Sequence, residues 1–155
     1  MVEQLESPEA AIYNPKTFDP LTGIGRLLTR VKGEMMDALD RELAPLDISA
    51  AQYVILVTLH GGEIDSTARL CQGVSYDPGA MTRMIDRLER KGLVRRVRCG
   101  RDRRKVILEL TDAGKAIYPK LVEAAVRTVN RFLRGFTRDE VRGLEQLLRR
   151  MLANA

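Results

Sequence analysis

The sequence predicts a mostly α, α+β fold: a helix-turn-helix closed by one basic β-hairpin, with long helices at both chain ends. Three observations lead there. Apolar residues recur at helical spacing near both termini, as in Ile24, Leu27, Leu28, Val31, Met35, Leu39 and Leu43. Two short segments on either side of Cys99-Gly100-Arg101-Asp102 alternate in polarity instead. Between these patterns, Ser66 to Gly114 reads as helix, turn, helix, strand, basic turn and strand.

Residues 1–18 have no periodicity and carry Pro8 and Pro15, which predicts a flexible arm. Asp19-Pro20 starts the first long helix, and Pro45 stops it. Ser49 and Gln52 then make an S-x-x-Q capping box, with Ile48 and Tyr53 placed for a hydrophobic staple. The helix they open is apolar on nearly every side (Val54, Ile55, Leu56, Val57, Leu59), so it belongs between other elements. Gly61-Gly62 ends it after His60, and Ile64 is placed for a short strand beside the hairpin.

A short helix spans Ser66 to Gln72, and Gly73-Val74-Ser75-Tyr76 forms the turn. Asp77 caps the second motif helix, with Pro78 at its first position, where a missing N–H costs least. Met81, Met84, Ile85 and Leu88 make one apolar stripe, and Arg83, Arg87 and Arg90 fall on the other side. Gly92 ends the helix, and the hairpin runs from Leu93 to Arg98 and back from Arg103 to Leu110. Thr111 caps a long helix to about Arg134, with Ile117, Leu121, Ala124, Ala125 and Phe132 on its apolar face and Pro119 predicting a kink. Thr137 and Glu140 form a second capping box, with Phe136 and Val141 as its staple. The last helix carries Val141, Leu144, Leu147, Leu148, Met151 and Leu152.

Charge is concentrated on the central module. Residues 76–105 hold eleven Lys/Arg and four Asp/Glu, a net +7 against +5 for the whole chain, so the other 125 residues are net −2. A helix and a basic hairpin carrying all the excess charge are the footprint of a module that binds double-stranded DNA. The helix would enter the major groove, and the hairpin tip would reach the flanking minor groove.

The sequence excludes other classes. No run approaches the roughly 20 apolar residues that span a bilayer, and Glu3, Glu6 and Glu9 do not suit a secretory signal. Cys71 and Cys99 sit in different contexts and suggest no disulfide framework, which points to a reducing cytoplasm. One histidine and two separated cysteines do not make a metal site. There is no G-x-S-x-G and no P-loop, so neither an enzyme nor a cofactor is expected.

The helices at the chain ends are left over from the module. Their stripes are too apolar to face water, so they are expected to pack together and against their copies in a second subunit; an intramolecular bundle is the alternative. The chain then divides into an arm (1–18), a dimerisation helix (19–46), the DNA-binding lobe (47–111) and C-terminal dimerisation helices (112–155). A C2 homodimer sets its two recognition helices about one turn of DNA apart, which asks for a pseudo-palindromic operator.

DPGAMTRMIDRLERKGLVRR followed by GRDRRKVILELTDAG resembles the recognition helix and wing of the MarR family (multiple-antibiotic-resistance-type regulators). The pattern D-R-R-x-x-x-L-x-L-T-x-x-G is met by Asp102, Arg103, Arg104, Leu108, Leu110, Thr111 and Gly114. The likeness runs from about Gly25 to Leu152 and includes LDISAAQYVIL. It implies a winged helix-turn-helix fold, dimerisation through the terminal helices, and a transcriptional repressor released by a small aromatic or phenolic acid. Two alternatives stay open: a ligand-independent regulator, and a protein-interaction adaptor that kept the fold. The D-x-R pair and the basic cluster argue against the adaptor.

Candidate DNA contacts follow. Arg104 suits a narrow A·T-rich minor groove, where the negative potential is strongest, and Asp102 is placed to hold it. Arg101, Arg103 and Lys105 would meet phosphates. On the helix, Arg83 and Arg87 reach base edges or phosphates, although Arg87 and Asp86 could equally be structural. Ser75, Tyr76, Asp77, Pro78, Gly79 and Ala80 occupy the helix start, where Gly79 and Ala80 permit close approach. Thr82 would bond a phosphate or its own helix. Ser66 and Thr67 would offer backbone N–H groups to a phosphate, cap their helix, or both.

The resemblance also implies a cleft for a small anionic aromatic between the dimer helices and the winged lobe. Arg26, Tyr53, His60 and Tyr118 come from helices that should border it. Each has a plainer reading: Tyr53 as a staple, His60 as a helix-end cation, Arg26 as surface.

Overall fold

The computed structural model describes residues 12–62, 70, 77–98 and 106–155. It divides into two compact units, Met1–Glu34 and Met35–Ala155. Helix α1 (Ile24–Leu43) contributes residues to both.

In the first unit, Asn14 organises a turn. Its side-chain oxygen accepts from Lys16 N and its carbonyl from Phe18 N, each at 2.9 Å. The rings of Tyr13 and Phe18 meet edge to face at 4.9 Å. Asp19 then caps a second turn, accepting from Leu21 N at 2.9 Å and from the Thr22 hydroxyl at 3.0 Å. The helix expected to start at Asp19-Pro20 therefore starts later, at Ile24. The cause is local: the Asp19 carboxylate is used by its own turn, and the Phe18 ring packs onto Gly23, where a Cβ would lie 2.6 Å from a ring carbon. On the first half of α1, Ile24, Leu27, Leu28 and Val31 are exposed.

In the second unit, Ala38, Leu39 and Leu43 on the other half of α1 are buried. Pro45 ends the helix in a single 3-10 turn (Ala44–Leu46), and Asp47 takes a left-handed conformation at φ 55°. The capping box at Ser49 forms in full, with Gln52 N donating to Ser49 Oγ at 3.2 Å and Ser49 N to Gln52 Oε1 at 3.1 Å. It opens α2 (Ala50–His60), which buries Ile55, Leu56 and Leu59 at the centre of the core. The strand at Ile64, the helix over Ser66–Gln72 and the turn over 73–76 lie outside the described residues except for Leu70, which is helical and fully buried.

Helix α3 (Pro78–Arg90) begins at the Asp77 cap. It ends in a Schellman arrangement: Gly92, at φ 70°, donates to Glu89 O at 2.9 Å, and Leu93 N to Leu88 O at 3.0 Å. Strands β1 (Val94–Arg98) and β2 (Val106–Leu110) pair antiparallel, from Val94 opposite Leu110 to Arg98 opposite Val106. Val94, Leu108 and Leu110 point into the core. Thr111 joins hairpin to helix: its hydroxyl accepts from Gly114 N at 3.0 Å and donates to Gly92 O at 2.6 Å. Gly114 is required here, because a Cβ would lie 2.1 Å from Leu93 O.

Helix α4 (Asp112–Phe132) is continuous through Pro119. Its inner face buries Leu121, Ala124 and Thr128. A second stripe, Val122, Val126 and Val129, is exposed at i, i+4 and i+7. Helix α5 (Arg138–Ala153) starts at the second capping box and buries no residue. Leu144, Leu147, Met151 and Leu152 are all exposed on it.

Candidate nucleic-acid interface

Helix α3 has one sealed face and one open face. Met81, Ile85 and Leu88 are fully buried, which anchors the helix with about 1.5 to 3 kcal/mol per side chain. Thr82, Arg83, Arg87 and Arg90 are exposed on the opposite side. The Asp77 carboxylate accepts from Ala80 N at 3.0 Å, so this residue caps the helix start. Pro78 and Gly79 are exposed and Ala80 is half-buried beside it. A Cβ on Gly79 would sit 3.6 Å from Arg83 Nη1, so the Arg83 guanidinium lies along the bare first turn. The Thr82 hydroxyl donates to Pro78 O at 2.8 Å, the within-helix alternative for that side chain.

The basic residues of the described module divide sharply. Lys91 pairs with Asp47 at 3.0 Å and also donates to its carbonyl. Arg95 pairs with Glu109 across the hairpin at 3.0 Å. Arg96 bridges two carboxylates on α3, Asp86 at 2.7 Å and Glu89. Its hydrogen bond to Asp86 and its nearness to both carboxylates hold the Arg96 guanidinium above its ordinary pKa, against a smaller opposing effect of burial. Arg83, Arg87, Arg90 and Arg98 make no ion pair among the described residues. Arg87 borders a groove of about 500 Å³ together with Asp40, Asp47 and Lys91. Asp86 is thus structural, and its partner Arg96 lies on another element that no spacing along the sequence connects to it.

Ser66, Thr67, Ser75 and Tyr76, and the hairpin-tip residues Arg101, Asp102, Arg103, Arg104 and Lys105, lie outside the described residues. Among the described residues there is no group of three His, Cys, Asp or Glu side chains that could hold a metal ion.

Three of the four ligand candidates come together. The rings of His60 on α2 and Tyr118 on α4 stack at 3.5 Å, within 10° of parallel. Tyr53 lies about two helical turns back on α2; burial, then the neighbouring Tyr118, push its phenol pKa up. A cleft of about 480 Å³ opens beside His60 and is also lined by Leu59, Ile107 and Lys115. Arg26 is exposed on the first half of α1, in the other unit.

With this geometry in view, likeness to known proteins becomes specific. The MarR family model matches residues 48–106. The multiple antibiotic resistance protein MarR of Escherichia coli is 35% identical over 136 residues, 87% of this chain and 94% of that protein. The chain belongs to the MarR family. The MarR match spans α2, α3 and β1 and reaches the first residue of β2. The crystal structure of wild-type E. coli MarR in its apo form superposes with a TM-score of 0.74 at 35% identity, over 84% of this chain and 97% of that one. A cysteine-to-serine mutant of E. coli MarR, solved in complex with operator DNA, gives 0.75 at 34% identity over 87% and 99%. The mostly helical winged fold is therefore the MarR fold, and the chain is a DNA-binding transcriptional regulator, not an enzyme. Among the described residues, no single helix is long and apolar enough to cross a membrane.

Proposed function

We propose that this chain is a cytoplasmic, homodimeric repressor that holds a pseudo-palindromic operator through α3 and the hairpin and is released by a small aromatic acid. The observation that carries the DNA contact is the open face of α3: Gly79, Arg83, Arg87 and Arg90 lie exposed on a helix whose other face is sealed. Arg83 and Arg87 read base edges or phosphates, and the bare turn at Pro78, Gly79 and Ala80 approaches the groove. Asp77 and Thr82 hold the helix start in shape. Ser66, Thr67, Ser75, Tyr76 and the tip residues 101–105 complete the contact, with Arg104 in the minor groove and Asp102 steadying it.

The homodimer is supported by faces that one copy leaves open. Val122, Val126 and Val129 on α4, and Leu144, Leu147 and Met151 on α5, are too apolar to face water as a set. A second copy covers them. On this reading 112–155 and 19–46 serve dimerisation, 47–111 is the DNA-binding lobe, and 1–18 is an appended arm.

The effector reading rests on Tyr53, His60 and Tyr118, with Arg26 as a further candidate. One observation favours the ligand-independent alternative: rings stacked at 3.5 Å leave no slot between them. An aromatic acid must lie beside the stack, where Lys115 offers its carboxylate a cation.

Fluorescence anisotropy across a salt series, on the duplex upstream of the protein's own gene, tests these readings in order. Wild type is expected to bind tightly with a steep salt dependence, and Arg83→Ala and Arg104→Ala to lose about tenfold or more each and to lower the salt slope by about one. A benzoate or salicylate panel then tests release. Binding no tighter than to random duplex, for duplexes drawn from the whole genome, would remove the repressor reading; full binding at saturating acid would leave the ligand-independent one.

A further inference from the structure

The two adjacent arginines of β1 have opposite fates. Pleating sends Arg95 to the outer face with Glu109, where an exposed cross-strand pair is worth little. Arg96 pairs in register with buried Leu108 and so shares the inner face, turned toward α3. There its guanidinium takes Asp86 with one terminal nitrogen, at 2.7 Å, and Glu89 with the other. Its backbone N–H donates to Glu89 as well, at 3.3 Å. Asp86 and Glu89 are three residues apart, on one edge of the helix. A planar fork held at both tips fixes direction as well as distance, which a lysine or an aliphatic side chain cannot do.

We infer that Arg96 is a positioning residue for DNA recognition: by bridging Asp86 and Glu89 it sets the angle between the recognition helix and the hairpin, so that both reach their grooves at once. The inference rests on the DNA-binding reading above. It also explains why two carboxylates are kept on a helix that faces a polyanion. Their charge opposes DNA binding, so their value lies in the geometry they hold.

Asp86→Ala/Glu89→Ala separates charge from positioning, because the two accounts differ in sign. The double variant removes two negative charges, and alanine favours the helix. If charge alone mattered, it would bind every duplex more tightly. If Arg96 sets the angle, affinity for a duplex that the wild type has selected from a random pool falls about tenfold, while affinity for unselected duplex holds or rises. Arg96→Lys, which keeps the charge and loses the fork, is expected to lie between. Thermal unfolding monitors the fold, and the ratio of selected to unselected affinity is the readout that a loss of stability alone would not move. An unchanged or increased ratio in the double variant overturns the inference. Should wild type prefer no duplex at all, the DNA-binding reading fails by itself. Hydrogen exchange at the amides of residues 94–98 then decides the bridge: faster exchange in the double variant supports it, and unchanged exchange overturns it.

Discussion

Helices α3 and α5 carry the same signal in sequence and meet different ends in structure. Each has a strong apolar stripe, an N-cap that accepts from the backbone three residues on, and basic residues in its last turn. Yet α3 buries Met81, Ile85 and Leu88 completely, and α5 buries nothing. Leu147, in the middle of the α5 stripe, is 56% exposed. An amphipathic period therefore says that a helix has a partner face, and says nothing of which chain supplies the partner. For α3 the partner is the core of its own lobe. For α5, and for the second stripe of α4, we assign it to a second copy.

The comparison breaks most violently at the junction that locks the α3 lobe. Gly114→Val places a Cβ 2.1 Å from Leu93 O, against backbone that cannot yield. A loss of about 4 kcal/mol or more is expected in urea unfolding, enough to unfold most of the chain. The paired truncations sharpen the contrast. Leu88→Ala should cost about 2 to 5 kcal/mol in unfolding at any protein concentration. Leu147→Ala should cost less than about 0.5 kcal/mol under conditions where the chain is monomeric, with its effect appearing only as the protein is concentrated. Equal costs for the two would mean that α5 packs within its own chain.

Introducing charge on the open apolar face goes further in the same direction. Leu144→Glu/Leu147→Glu should shift the sedimenting species from dimer to monomer while near-native helical content is kept. The caps give a smaller effect. Thr137→Ala removes a capping box and should cost about 1 kcal/mol, seen as fraying of α5 with the lobe intact. The smallest effect is a pH dependence. The Glu140 carboxylate accepts from Thr137 N at 2.7 Å and from its hydroxyl at 3.0 Å, which hold its pKa below the ordinary 4.5. A lowered carboxylate pKa gives stability that is present above pH 4.5 and lost as the pH falls through the folded value. Amide protection in the first turn of α5, taken relative to the intrinsic exchange rate at each pH, should therefore fall in that acid range, and Glu140→Gln should flatten the dependence.

Much of the fold was legible because its determinants are local. Asp77, Pro78 and Gly92 mark α3 to within a residue, and Ser49 and Thr137 open their helices at the expected capping boxes. Helix α1 starts later than the sequence predicts because Asp19 caps a turn of its own, and an aspartate's side chain serves a turn or a helix equally well. The stripe Val122, Val126, Val129 is hidden in the sequence because it interleaves with the inner stripe of the same helix; the two separate only once the core is located. At the candidate interface, Arg83 and Arg87 stand exposed on α3 as residue spacing implies, and Thr82 takes the within-helix alternative. The Arg96 bridge was illegible for a different reason. It joins residues ten and seven apart on different elements, and no helical or strand period connects them. The meeting of His60 with Tyr118 is likewise a contact between elements, visible only once α2 packs on α4.

We propose that the lobe reads DNA in pairs because the α4 and α5 faces are completed by a second copy. Sedimentation velocity of the full chain, alone and with one labelled operator duplex, tests it most directly. Two chains per duplex are expected, with free protein already dimeric at micromolar concentration and Leu144→Glu/Leu147→Glu losing both the dimer and the tight complex. A wild-type monomer that binds one duplex at full affinity would contradict the claim.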